Sequence, residues 1–247
     1  MSDHGTIFSA PMVHSLLKGS KTETRRILRL PPDPDHRGEW EISTIGGAGV
    51  TDRAGQPFAA RPCLWHAKTG ACVATRYAAG DRLYVREAFR FWAASDDCEI
   101  TYLADGRHFQ TGPCTGEIPD ASLARYFKTV NRVRKAGKGR NFPSIHMPRW
   151  ASRLTLYVRE VRIERLKAIS RPAAIAEGLM AYPQPLGDPA WGVEGLPVEM
   201  QRIDPRQAYA QLWNSLHDKD GDRWQDDPWV TVTTFRVERH NIDRRPA

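Results

Sequence analysis

Proline and glycine cut this chain into short pieces, which limits what it can build. Eighteen prolines and nineteen glycines are spread over 247 residues. They gather as Pro31-Pro32, Pro34, Gly38, Gly46-Gly47, Gly49 and Gly55, and again in a loop over 182–205. Proline removes a backbone donor and glycine loosens the backbone, so no long helix or unbroken strand runs through such stretches. Between the breaks the pattern predicts short helices and strands at irregular spacing. There is no βαβ rhythm, no internal repeat, no GxGxxG and no phosphate-binding loop. The expected fold class is therefore α+β, a small mixed β-barrel with short flanking helices and long loop insertions, not a doubly wound sheet.

Individual elements follow from local pattern. Pro228 to Val237 is dense in β-branched and aromatic residues and is the clearest strand. Gly80-Asp81 opens a strand through Phe89, with Leu83, Val85 and Glu87 on one side and Tyr84 and Arg86 on the other. Leu154, Leu156 and Val158 alternate, then the phase slips near Glu160 before Val161 and Ile163, which predicts a bulged strand. Pro11, with the stripe Met12, Val13, Leu16 and Leu17, predicts a first helix ended by Gly19. Ser170 and Gly178 bracket a second helix to Glu177, and Pro205 to Leu216 a third. Pro143 to Arg153 is compact enough for a single helical turn near Pro148. One domain over 1–240 is expected, with insertions at about 31–79 and 93–141 and a tail at 241–247.

Several function classes drop out. No stretch approaches the ~20 apolar residues of a membrane span. The first ten residues lack the basic and apolar regions of a secretory signal. A cytoplasmic protein with no membrane partner is expected. Cys63, Cys72, Cys98 and Cys114 form no CxxC pair and match no zinc spacing, so no metal and no cofactor is expected. Free thiols are the simpler assignment, with a Cys63–Cys72 bridge left open. Lys plus Arg is 36 against 29 acids, a net charge of +7. Arginine suits planar contacts with phosphate and bases, so a nucleoside or nucleic-acid partner is expected. The run Arg132 to Arg140 is either a phosphate-contacting arm or a solvated loop.

Chemistry concentrates in Gly19-Ser20-Lys21-Thr22-Glu23-Thr24-Arg25-Arg26. A desolvated lysine loses pKa and can accept the proton of a nearby hydroxyl. A regular strand sends Lys21 and Thr24 to opposite faces, so their meeting needs the turn after Gly19 to extend to about Lys21. Glu87 ends an apolar strand, where its carboxylate either orients Lys21 or simply pairs with Arg86.

Gly19-x-Lys21-x-x-x-x-Arg26 resembles the signature of the ASCH superfamily, compact β-barrels related to the PUA RNA-binding domain. The common form carries an acid two before the last Arg; here Thr24 stands there, as in the small ASCH amidohydrolases that act on N4-acetylcytidine. Three further blocks resemble a longer, phage-associated ASCH group: Gly80 to Glu87, His146 to Arg153, and Leu212 to Ser215 with Pro228 to Val230. The resemblance implies a PUA-like fold and a hydrolase of an acylated nucleobase or nucleoside, with RNA a better partner than DNA. It carries Lys21 and Thr24 over as catalytic residues position by position, and Glu87 by its place on a later strand.

On that basis Thr24 attacks the acyl carbon, Lys21 takes the proton, and Glu87 positions Lys21 or protonates the leaving amine. Arg26, or a backbone N–H near Gly19, faces the oxyanion. Phe89, Trp92 and Trp150 are candidate platforms for the base. Arg86, His146 and Arg149 complete the candidate binding set, with Arg149 and Arg153 one helical turn apart. The alternatives are a non-catalytic RNA- or DNA-binding module and a metal-independent ribonuclease.

Overall fold

A computed structural model describes residues 2–31, 40–94, 97–111, 127–128, 131 and 140–244. The basic run at 132–139 lies outside the described residues, as does Cys114. The fold is mixed α+β, mostly sheet with a few short helices, and no sheet closes into a barrel among the described residues. The chain divides into two compact units.

The first unit comprises Gly19–Asp81 and Tyr157–Arg236. Within it β2 (Glu23–Ile27) pairs antiparallel with β14 (Trp229–Glu238), which sets Thr24 opposite Thr233 and Arg26 opposite Thr231. On its other side β14 neighbours β11 (Thr155–Arg165). A strand flanked on both sides and covered on both faces loses the simple alternation of a half-exposed strand. Accordingly Val230, Thr231, Val232, Thr233 and Phe235 are all buried. The phase slip in β11 is real: Val158 and Val161 are buried while Arg159 and Glu160 between them are exposed.

Three strands, β3 (Glu41–Ile45), β4 (Arg61–His66) and β5 (Ala71–Ala74), form an antiparallel sheet over the stretch expected to be an insertion. Its Leu64 packs with Trp40 and Ile163. Two helices complete the unit with the small pair β12 (Met180–Tyr182) and β13 (Ala190–Gly192). Helix α2 (Arg171–Ala176) begins at Ser170, whose Oγ accepts from the Ala173 N–H at 3.3 Å, and Gly178 follows with φ of +102°. Helix α3 (Pro205–Leu216) begins at Asp204, whose carboxylate accepts from the Arg206 N–H, and buries Tyr209, Leu212 and Trp213.

The second unit comprises Ser2–Lys18, Arg82–Leu156 and the chain from Val237 on. Here β1 (Asp3–Ile7) runs parallel to β6 (Arg82–Arg86). Helix α1 (Ala10–Lys18) buries Met12, Val13 and Leu16, the stripe seen in the sequence. The expected single strand from Arg82 to Phe89 is interrupted: β6 stops at Arg86 and β7 (Phe89–Ala94) starts a separate sheet. That sheet is antiparallel in the order β10 (Arg140–Phe142), β7, β8 (Asp97–Tyr102), β9 (His108–Thr111). Phe89, Phe91, Ile100, Tyr102, Met147, Trp150 and Ala151 form its core.

Candidate functional site

In the first unit Gly19 takes a φ of +76°, a conformation that side chains with a Cβ rarely adopt, and the chain straightens directly after it. By Lys21 the backbone is extended and bridges Glu177 antiparallel, with the Thr22 N–H donating to Ala176 O at 2.9 Å. The turn therefore ends before Lys21. Lys21, Glu23 and Arg25 share one parity along the extended chain, and Thr22, Thr24 and Arg26 the other.

The first set builds a closed ion-pair network. Lys21 Nζ donates to the Glu177 carbonyl oxygen at 2.8 Å and to its Oε2 at 2.6 Å. Glu177 Oε1 accepts from Arg25 Nη1 at 3.1 Å and from the Tyr209 hydroxyl at 3.3 Å. Arg25 grips Glu164 through Nε and Nη2, and Glu23 lies 2.6 Å from its Nη1. Arg162 closes the ring by bonding both Glu23 and Glu164. Three cations (Lys21, Arg25, Arg162) meet three carboxylates (Glu23, Glu164, Glu177), so the network carries no net charge.

Burial decides the electrostatics. Lys21 is 1% exposed, and loss of solvent lowers its pKa despite the Glu177 carboxylate, which works to raise it; Arg26 and Arg25 push further down. Burial also works against the charge of Arg25, but Glu177 and Glu23 outweigh it and its pKa ends raised. The Tyr209 phenol is pushed well up, first by burial and then by Glu177. Its proton is thereby secured as a donor to the carboxylate.

Glu177 is the group that sequence inspection overlooked. It closes a six-residue helix, beside the partial negative charge of the last carbonyls, where a carboxylate is unfavourable. An acid directly before a helix-ending glycine was the available signal. Thr24 is buried, 7% exposed, on the opposite parity, and Arg26 is exposed.

The remaining candidate residues lie in the second unit. Glu87 sits just past β6, 1% exposed, with Arg153 Nε and Nη2 both at 2.8 Å from its two oxygens. Burial raises its pKa, and the Arg153 hydrogen bonds only partly offset that. In the first unit Lys21 Nζ hydrogen-bonds the Glu177 carboxylate. Arg153 Nη1 also reaches Asp105 at 2.8 Å, and its guanidinium lies 4.0 Å from the Tyr102 ring centre.

Arg149 turns elsewhere, to Asp3 at 2.5 Å and Asp243 at 2.6 Å. The two arginines do not share a helical face, because the turn closes at Ala151 and Ser152 is already extended. Arg86 donates to Ile145 O, and His146 is exposed on a neighbouring turn. Phe89 stacks on Phe142 inside the core, with ring centres 5.4 Å apart. Trp150 belongs to the same core, while Trp92 is exposed.

No helix among the described residues is long and apolar enough to cross a membrane. No family model, no curated protein and no solved structure matches the chain.

Proposed function

We propose that the chain is a PUA-like ASCH-domain hydrolase that removes an acyl group from a modified nucleobase or nucleoside, with Lys21 and Glu177 governing proton transfer. The observation that carries it is the buried ammonium of Lys21, held by both the backbone and the side chain of Glu177. A lysine desolvated in this way reaches its neutral, proton-accepting form at lower pH than a surface lysine.

Neutral Lys21 Nζ takes the proton of Thr24 Oγ as that oxygen bonds to the acyl carbon. Lys21 returns the proton to the exocyclic nitrogen of the base as the C–N bond breaks, leaving the acyl group as an ester on Thr24. Water then adds to the ester, giving its proton to Lys21, and the carboxylic acid departs with Thr24 reprotonated. Arg26, or a backbone N–H near Gly19, stabilises the oxyanion in both halves. Glu177 is a positioning residue: it fixes the amine and stabilises the ammonium whenever the proton arrives.

Alternation assigns Lys21 and Thr24 to different faces, so they have to meet at the strand edge. Support comes from β2 being the last strand in its sheet order. Lys21 Nζ bonds the backbone oxygen of its bridge partner Glu177, next to the start of that strand.

The test is incubation with N4-acetylcytidine and with acetylated RNA, read as loss of the acetyl mass. Lys21→Ala and Thr24→Ala should abolish turnover. Glu177→Gln should lower it and displace its pH profile, while Glu87→Gln leaves the profile in place. Full turnover in both the Lys21 and Thr24 variants, with folding intact by circular dichroism, refutes the proposal. A second possibility, a non-catalytic nucleic-acid-binding module, is favoured by the net charge of +7. It predicts salt-sensitive RNA binding without deacylation.

A further inference from the structure

The second unit holds a cavity of about 220 Å³ that none of this chemistry uses. Its apolar lining is aromatic, from buried Tyr102 and Trp150 and half-buried Phe109. Its basic lining is mostly arginine, exposed Arg107, Arg239 and Arg244 together with Arg153, and includes His108 and His240. No carboxylate lines it among the described residues.

The walls are fixed in advance. Asn241 Nδ2 donates to the carbonyl oxygens of Arg149, Trp150 and Ser152 at 2.9, 3.1 and 2.7 Å. That amide ties the C-terminal segment to the turn carrying Trp150. The Tyr102 hydroxyl is anchored on Ala151 O at 3.0 Å, and Arg153 is held by Glu87 and Asp105. Two of the outer arginines, Arg107 and Arg239, are less committed. The Arg107 guanidinium has no hydrogen-bond or ion-pair partner among the described residues, and Arg239 donates to Leu17 O. A guanidinium has five N–H donors, so Arg239 keeps capacity for a ligand.

Volume narrows the ligand. An apolar cavity of about 150 Å³ takes benzene, and pockets for drug-sized ligands begin near 300 Å³. The space therefore suits one substituted six-membered ring and is small for a fused purine. Aromatic and guanidinium planes stack on bases, and guanidinium forks match phosphate oxygens.

We propose that this cavity binds a pyrimidine nucleotide, its base against Phe109 and Trp150 and its 5′-phosphate on Arg107, Arg239 and Arg244. A free mononucleotide and the 5′-phosphorylated end of an RNA present the same chemistry. The site is independent of the hydrolase proposal, whose Lys21 and Glu177 lie in the first unit.

Isothermal titration of the full chain tests it, with UMP, CMP, AMP, uridine, ribose 5-phosphate and a 5′-phosphorylated oligouridylate as probes. UMP or CMP should bind at least about tenfold tighter than uridine or ribose 5-phosphate, since each lacks one half of the recognition. Arg107→Ala with Arg244→Ala should weaken UMP by about tenfold per guanidinium and leave the melting temperature unchanged. Phe109→Ala should weaken uridine and UMP but not ribose 5-phosphate. An oligouridylate binding at least as tightly as UMP assigns the site to an RNA end; weaker binding assigns it to a free nucleotide. No saturable UMP binding, AMP binding as tightly as UMP, or full affinity in the double arginine variant overturns the proposal.

Discussion

Replacing Glu177 by glutamine removes one of the three carboxylate charges in the Lys21 network and leaves three cations facing two. Lys21 Nζ loses its 2.6 Å ionic partner, and Arg25 Nη1 loses the one at 3.1 Å. The side chains of Lys21, Arg25 and Glu177 are each at most 4% exposed, so water does not replace the lost charge. Stranding a buried ion in this way costs about 3–5 kcal/mol. In a chain of this size about 2–4 °C of melting temperature follows each kcal/mol, so a fall of roughly 6–20 °C is expected by calorimetry. The double variant Lys21→Met, Glu177→Gln restores charge balance at two against two. It should melt above the Glu177→Gln single variant, the mark of coupled neighbours. A fall below about 2 °C for the single variant, or a double variant at or below the sum of the singles, refutes the network as described.

Other outcomes follow from the same geometry. The lowered pKa of Lys21 means that the unfolded chain binds more protons between the folded value and 10.5. The stability advantage of wild type over Lys21→Met should therefore grow as pH rises through that window, being complete above 10.5 and lost as pH falls through the folded pKa; denaturant melts across the range measure it. Burial, then Cys72, pushes the Cys63 thiol up to about 11. At pH 8 roughly one molecule in a thousand then carries the Cys63 thiolate, so iodoacetamide with mass mapping should label exposed Cys72 first. Ser170→Ala removes the cap of α2 and should cost about 0.5–2 kcal/mol in urea denaturation, with turnover falling as Glu177 loosens if the hydrolase proposal holds.

Much of the secondary structure was legible in residue pattern because its causes are local. The ends of α2 follow from Ser170 and Gly178, and the start of α3 from Pro205. The phase slip at Glu160 follows from the spacing of Val158 and Val161. These features depend on backbone donors, positive φ and side-chain alternation within a few residues. The break after Arg86 was hidden because Glu87 and Ala88 continue the alternation while their backbone changes sheets.

Partner choice belonged to the tertiary structure. Lys21 finds its carboxylate 156 residues away, and Glu87 finds Arg153 66 residues away. A nearby motif marks which residues carry chemistry, but not which distant charge arrives beside them. Desolvation then sets the energetics of each pair, since a buried ammonium accepts only a partner close enough to replace water. Residue order determined short strands, capped helices and an excess of arginine; the packed fold alone decided that Glu177 meets Lys21 and that arginines and aromatics line one small cavity.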